Sequence, residues 1–293
     1  MNGMTPPADP DHEIAAPHPY RLAHRRSSDD APSVVEVGGD RRIGDGRFAL
    51  IAGPCAIETR EQTLEIARVA RDAGATMLRG GAYKPRTSPY AFQGLGDAGL
   101  QILADARAQT GLPIVTELMD VRDVEAVAAV ADMIQIGARN MQNYALLTEV
   151  GRTRVPVMIK RGLSSTIEEL LMAAEYVLKG GNPDVVLCER GIRTFEPAYR
   201  FTLDLAAVPV LKALSHLPVI VDPSHAAGRR DLVEPLALAA AAVGADGIVV
   251  EIHPDPDTAI CDGPQTLRCD DFARFAARVR HVAEASRLVP AGV

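Results

Sequence analysis

The chain lacks any apolar run of 18 or more residues, so no membrane-spanning helix is expected. Its first residues carry charge and proline where a secretory signal would carry an apolar core. Positive charge is not in excess. Lys and Arg number 31 against 38 Asp and Glu, a formal net charge of −7, and an acidic chain is a poor general partner for nucleic acid. Cysteine is scarce. Cys55, Cys188, Cys261 and Cys269 show no CxxC spacing, which in a long chain points to reduced thiols in a cytoplasmic protein and not to a disulfide frame. No Gly-x-Gly-x-x-Gly opens the first helical stretch, which counts against a dinucleotide-binding open sheet.

What is present is enough apolar material for a large core: 47% of 293 residues. Residues 1–33 are rich in Pro, His, Asp and Arg without a sustained period, and read as a flexible tail. Residues 34–47 read as a short hairpin or edge strand. From residue 48 to 293 a rhythm sets in. Short Val- and Ile-rich runs alternate with amphipathic, Ala-rich stretches. The strand candidates are FALIAG (48–53), ATMLRG (75–80), PIVTEL (113–118), DMIQIG (132–137), PVMIKR (156–161), DVVLCE (184–189), PVIVDP (218–223) and DGIVVEI (246–252). REQTLEIARVARDAG, DVRDVEAVAAVA and RRDLVEPLALAAAAVG are helical candidates between them. Near-continuous apolar strands suit a sheet buried on both faces. Eight strand–helix pairs over about 240 residues predict an α/β fold of the closed (β/α)8, or TIM, barrel type. An open doubly wound sheet is the alternative.

In such a barrel, chemistry sits at the C-terminal strand ends. There the sequence places Cys55; Arg79 with Lys84 and Arg86; Glu117; Arg139; Lys160 and Arg161; Glu189 and Arg190; Asp222 and His225; and Glu251, His253 and Asp262. Two groups stand out. Arg79, Lys84, Arg86, Arg139, Lys160 and Arg190 would form a cationic basin for phosphate or carboxylate groups, since Arg forks onto them and Lys adds a point charge. Taken singly, any of these cations could equally pair with a neighbouring carboxylate. Cys55, His225, Glu251 and Asp262 mix sulfur, nitrogen and oxygen donors. That mixture suits a divalent Mn, Fe, Co or Zn ion better than Mg or Ca. The four come from separate segments, so no compact spacing supports the set. A strand-end cysteine is often a small core residue, and a lone His after DPS serves equally as a cap or core residue.

The motifs GPCAIE, RGGAYKPRTSPYAFQGLG, TELMD, QIGARNMQN, IKRG, DPSHAAGRR and VEIHPDPDTAICDGPQTL, in this order, closely resemble 3-deoxy-D-arabino-heptulosonate 7-phosphate (DAHP) synthases of the compact type I beta class. The resemblance runs from about residue 34 to 285. It implies a (β/α)8 barrel that condenses phosphoenolpyruvate with erythrose 4-phosphate, the first step of the shikimate pathway leading to aromatic amino acids. It also implies a divalent metal held by Cys55, His225, Glu251 and Asp262. Phosphoenolpyruvate would meet Arg79, Lys84, Arg139, Lys160 and Arg190. The aldose phosphate would meet Lys84, Pro85, Arg86, Thr87 and Ser88. Gly80 and Gly81 would let backbone approach anionic oxygens. Lys84, Glu117 and His225 are the expected catalytic residues, with Lys84 serving the new alkoxide and Glu117 the incoming water. A homo-oligomer (dimer or tetramer) is expected, with no built-in feedback domain and, as a separate partner, a chorismate mutase. Three rivals differ in chemistry. A 3-deoxy-octulosonate 8-phosphate synthase would take arabinose 5-phosphate, but it resembles this chain less at KPRTSP. A class I aldolase would use Lys84 or Lys160 as a Schiff base. A non-catalytic barrel would act as a regulatory partner.

Overall fold

The computed structural model describes residues 18–25, 27, 31–86 and 88–287. Strands β1 (Val35–Glu36) and β2 (Arg42–Ile43) pair antiparallel. The next eight strands are β3 (Ala49–Gly53), β4 (Met77–Arg79), β5 (Ile114–Leu118), β6 (Met133–Ile136), β7 (Val157–Lys160), β8 (Val185–Glu189), β9 (Val219–Val221) and β10 (Gly247–His253). Each lies parallel to the next, and β10 pairs with both β9 and β3. That double pairing closes the ring, so the fold is a (β/α)8 barrel and not an open sheet. A short β11 (Leu267–Arg268) runs parallel beside the end of β10.

The helices are α1 (Arg60–Asp72), α2 (Asp97–Thr110), α3 (Val124–Ala128), α4 (Tyr144–Val150), α5 (Ile167–Lys179), α6 (Ala207–Leu214), α7 (Pro223–Ala227), α8 (Arg230–Ala242) and α9 (Cys269–Arg287). Their starts follow local chemistry. Thr59 accepts from Gln62 N at the head of α1, and Thr166 with Glu169 makes a full capping box on α5. DVRDVEAVAAVA is mostly not α-helix. Val121–Asp123 forms a 3-10 turn and α3 keeps only five residues. Asp120 draws Arg122 N onto its own side chain at 2.9 Å, and the β-branched Val121, Val124, Val127 and Val130 are weak helix formers.

Strand parity divides the core. Ala49, Ile51, Met77, Val115, Met133, Met158, Val186, Cys188, Ile220 and Val249 pack inside the barrel, together with Val35, Val37 and Ile43 of the hairpin. Their strand neighbours, such as Leu50, Leu78, Ile134, Ile159, Leu187 and Val250, pack outward on the helices. Because side chains alternate faces with period two, the next inward positions are Gly53, Arg79, Glu117, Gln135, Lys160, Arg190, Asp222 and Glu251. The apolar layer therefore gives way within a single step to one that is charged at six of its eight positions. Arg161 and Glu189 have the opposite parity. They leave the basin and pair outside it at 2.9 Å, with Asp204 also 2.9 Å from Arg161.

The expected tail is seated on the barrel over residues 18–25. Tyr20 and Ala23 are buried. The Glu175 carboxylate accepts the amides of Arg21 at 3.0 Å, Leu22 at 2.9 Å and Ala23 at 2.9 Å. Ser215 donates to Ala23 O at 2.6 Å. Residues 1–17 lie outside the described residues. Among the described residues no helix is long and apolar enough to cross a membrane.

Candidate active site

The sequence DPSH builds one corner of the site. Asp222 caps α7 by accepting His225 N at 2.9 Å, and Pro223 fits the first turn because its missing N–H is not needed there. His225 therefore lands back over the Asp222 carboxylate. Its Nδ1 lies 2.8 Å from Asp222 Oδ2, but the approach is not aligned as a hydrogen bond, and Nδ1 is buried without a directed partner. On the other side Nε2 lies 3.3 Å from Glu251 Oε1.

Cys55, His225, Glu251 and Asp262 converge, with one donor atom from each lying within 4.8 Å of all the others. Donors held 2.0–2.3 Å from a shared ion lie up to about 4.6 Å apart, so small side-chain adjustments suffice for coordination. Cys55 Sγ donates to Asp262 Oδ2 at 3.1 Å. Asp262 has φ 55°, and it is the one non-glycine residue of left-handed backbone among those described. Aspartate tolerates that region better than most residues, and backbone of this kind collects at functional sites. Burial opposes ionisation of Asp262, but the adjacent His225 charge, the Cys55 hydrogen bond and Arg200 prevail and bring its pKa down to about 2. Glu251 is lowered in the same way, against burial, by His225 and Arg79. The hydrogen bond with Cys261, then burial and the Glu251 charge, push the Cys55 thiol up. The donor set thus offers two carboxylates, an imidazole and a thiol that surrenders its proton on binding. This fits a borderline divalent ion. Cys261 packs with Cys55, Ala56 and Phe92 and is a neighbour of the set.

The cationic residues lie beside these donors. Arg79 Nη1 donates to Pro54 O at 2.7 Å and to Glu251 Oε1 at 3.1 Å. Lys84 Nζ donates to Cys55 O at 3.0 Å and meets Cys55 Sγ at 3.1 Å. Burial alone would lower the Lys84 pKa, but Cys55, Glu117 and Glu251 outweigh it and hold the ammonium charged. Lys160 is paired with Asp222. Arg190 donates from Nη2 to His225 O at 3.2 Å and lies 4.3 Å above the Phe201 ring.

One cleft joins the two groups. Its walls include Lys84, Pro85, Arg86, Glu117, Arg139, Lys160, Arg190, Arg200, His225 and Asp262. The cations Arg79, Lys84, Arg86, Arg139, Lys160, Arg190 and Arg200 outnumber the carboxylates Glu117, Asp222, Glu251 and Asp262. Arg190 Nη1 and Arg79 Nε are buried with no acceptor. Buried donors without acceptors are rare in folded proteins, and here they sit where negative charge is short.

Some expected residues fall elsewhere. Ser88 is exposed and outside the cleft wall, and its hydroxyl accepts from Tyr90 N at 3.3 Å. Thr87 lies outside the described residues. Gly80 and Gly81 make room for protein and not for a ligand. A Cβ at Gly80 would meet Ile57 Cδ1 at 2.6 Å, and one at Gly81 would meet Lys84 Cδ at 2.8 Å. Their amides already donate to Val115 O and Cys55 O. His253 contacts Gln62, at 2.8 Å, and stays apart from the four converging donors. Arg200, Gln265 and Gln135 were not anticipated. Strand parity could have found Gln135, two residues beyond Met133. Arg200 lies in the irregular segment RTFEPAYRF, which carries no such signal.

Known proteins resemble this chain over most of its length. A phospho-2-dehydro-3-deoxyheptonate aldolase of Thermotoga maritima is 51% identical over 267 residues, covering 91% of this chain and 78% of the relative. A 2-dehydro-3-deoxyphosphooctonate aldolase of Syntrophotalea carbinolica is 37% identical over 261 residues, covering 83% and 93%. The crystal structure of the Thermotoga maritima DAHP synthase superposes with a TM-score of 0.88 at 50% identity, over 92% of this chain and 78% of that one. A truncated form of the same enzyme gives 0.84 at 47% identity, over 91% and 97%. With residues 28–287 matching the DAHP synthetase I family, and with the barrel and converging donors in place, the chain belongs to that family.

Proposed function

We propose that the chain joins phosphoenolpyruvate to erythrose 4-phosphate, releasing inorganic phosphate and forming DAHP, at the head of the shikimate pathway. The observation that carries this reading is the cleft itself, where an excess of cations with orphaned guanidinium donors adjoins four metal-type donors. Two phosphorylated substrates supply the missing acceptors. Arg139, Lys160 and Arg190 hold the phosphate and carboxylate of phosphoenolpyruvate, with Arg79 behind them. Pro85 and Arg86, both on the cleft wall, receive the aldose phosphate.

Cys55, His225, Glu251 and Asp262 would hold a divalent Mn, Fe, Co or Zn ion, whose chemistry is Lewis-acid polarisation of the aldehyde carbonyl. In the first bond-forming step, C3 of phosphoenolpyruvate attacks that carbonyl carbon. Lys84, held as an ammonium, donates a proton to the developing alkoxide. Positive charge at C2 is then met by water, which the buried Glu117 carboxylate orients or deprotonates. The resulting hemiketal phosphate expels inorganic phosphate, and the basin cations stabilise the departing charge. His225, pinned between Asp222 and Glu251, acts by orientation.

A Schiff-base aldolase would need a neutral lysine. Lys84 is held charged and Lys160 is paired with Asp222, which speaks against it. The 2-dehydro-3-deoxyphosphooctonate aldolase of Syntrophotalea carbinolica is less similar, at 37% against 51% identity, which counts against the octulosonate alternative. The four free, buried cysteines support a cytoplasmic setting. Phosphate release from phosphoenolpyruvate should occur with erythrose 4-phosphate, stop after EDTA and return with Mn(II). Turnover with arabinose 5-phosphate alone would overturn the substrate, and turnover indifferent to EDTA would overturn the metal.

A further inference from the structure

We infer that Arg200 is a positioning residue for the Cys55, His225, Glu251 and Asp262 set, holding both of its carboxylates by their outer oxygens; the inference rests on the metal reading given above. Arg200 Nη1 donates to Asp262 Oδ1 at 3.2 Å. The other oxygen, Oδ2, is the one that faces Cys55 Sγ. The same Nη1 donates to Gln265 Oε1 at 2.9 Å. A guanidinium can only donate, so it fixes which end of the Gln265 amide points toward it. The amide nitrogen is thereby turned to Glu251, where it donates to Oε2 at 2.7 Å. Glu251 Oε1 is left facing His225. Each carboxylate thus has one oxygen tied to the Arg200–Gln265 pair and one turned to the converging donors.

The backbone brings Arg200 there from a distance. The segment after β8 folds back on itself through paired hydrogen bonds between Ile192 and Thr202, at 2.9 and 3.0 Å. It then docks on α7, with Arg200 N and Phe201 N donating to Ala227 O and Ala226 O at 3.1 and 2.9 Å. Gly228 ends α7 with φ +65°, and a Cβ there would fall 2.4 Å from Arg200 Cβ. The helix that carries His225 therefore also seats Arg200. Outer partners of this kind orient metal ligands, and their loss costs about 10- to 100-fold in metal affinity.

The test is direct titration of chelator-treated protein with Co(II), read by the ligand-field and thiolate-to-cobalt absorption bands and by calorimetry. Arg200→Gln should weaken Co(II) binding about 10- to 100-fold while reaching the same bands at saturation. Arg200→Lys, which keeps a donor for Asp262, should recover part of the loss. Gln265→Leu should weaken binding without touching Asp262, so the pathway is probed even if one Arg200 variant folds poorly. Wild-type affinity in Arg200→Gln, with a raised KM for the aldose phosphate, would make Arg200 a substrate contact and overturn the inference. Failure of the wild-type chain itself to bind Co(II) would overturn the metal reading first, and the inference with it.

Discussion

Asp222 is the sharpest point of leverage. Its carboxylate is almost wholly buried, at 1% exposure, and balances Lys160 beside it while lying 2.8 Å from His225 Nδ1. Asp222→Asn keeps the shape and the cap on α7 but removes the charge, leaving the Lys160 ammonium buried and uncompensated. Breaking a buried pair from one side costs about 3–5 kcal/mol. For a chain of this length each kcal/mol lowers the melting temperature by about 2 °C, so a fall of about 6–10 °C is expected in calorimetry of chelator-treated protein at pH 7. Adding Lys160→Met should return about 2 kcal/mol, because the stranded charge is gone. The pH dependence has a definite sign. Burial would raise the Asp222 pKa, but His225 and Lys160 prevail and hold it well below the usual range. A folded pKa below the unfolded one gives stability that is complete above about pH 4 and drains away as pH falls toward the folded value. Wild type and Asp222→Asn should therefore diverge at neutral pH and converge in acid. Equal melting temperatures at pH 7, or a gap that widens in acid, would refute the buried pair.

Two further outcomes follow from single contacts. Arg190→Lys keeps the charge but loses the fork, the bond to His225 O and the stack on Phe201, so KM for phosphoenolpyruvate should rise about tenfold; a fall in kcat with KM unchanged would contradict a binding role. Glu175→Gln weakens the charge-assisted bonds from three amides, those of Arg21, Leu22 and Ala23, so amide exchange there should quicken about tenfold with turnover unaltered; unchanged exchange would show that the buried Tyr20 and Ala23 hold the segment alone.

The barrel was legible because its signal is repeated. Seven of the eight apolar runs contain their strands and the eighth falls one residue short, at His253, and a two-residue period decides which side chains face inward. That same period explains why Arg79, Glu117, Lys160, Arg190 and Glu251 meet, although they are far apart in the chain. The period also corrects the reading at Arg161 and Glu189, adjacent to Lys160 and Arg190 but turned outward. Other features depend on contacts without a period. Arg200 reaches Asp262 only because an irregular segment doubles back onto α7. The segment around Tyr20 reads as a tail because its binding partner, Glu175, lies 152 residues away from Ala23. DVRDVEAVAAVA reads as one helix but breaks at its start, where the Asp120 side chain competes for the Arg122 amide.

Gly137 shows how a residue without a side chain can carry function. It follows β6 at φ −67° and ψ 157°, a conformation open to any L-residue. Its glycine is therefore not required by the backbone. It is required by space, since a Cβ would stand 2.0 Å from Glu117 Oε1 and 3.1 Å from Glu117 Cδ. Gly137→Ala must evict the carboxylate while leaving the strand intact. If Glu117 governs the water that adds at C2, kcat should fall by about 10²-fold, the lower range for loss of a positioned acid or base, with little change in melting temperature. Glu117→Asp withdraws the carboxylate by one methylene and should itself be slow. In the Gly137→Ala background, however, the further loss from Glu117→Asp should be small, because the two changes spoil the same placement. Fully additive losses would mean that Gly137 acts on something other than Glu117, and a wild-type kcat in Gly137→Ala would remove Glu117 from the chemistry.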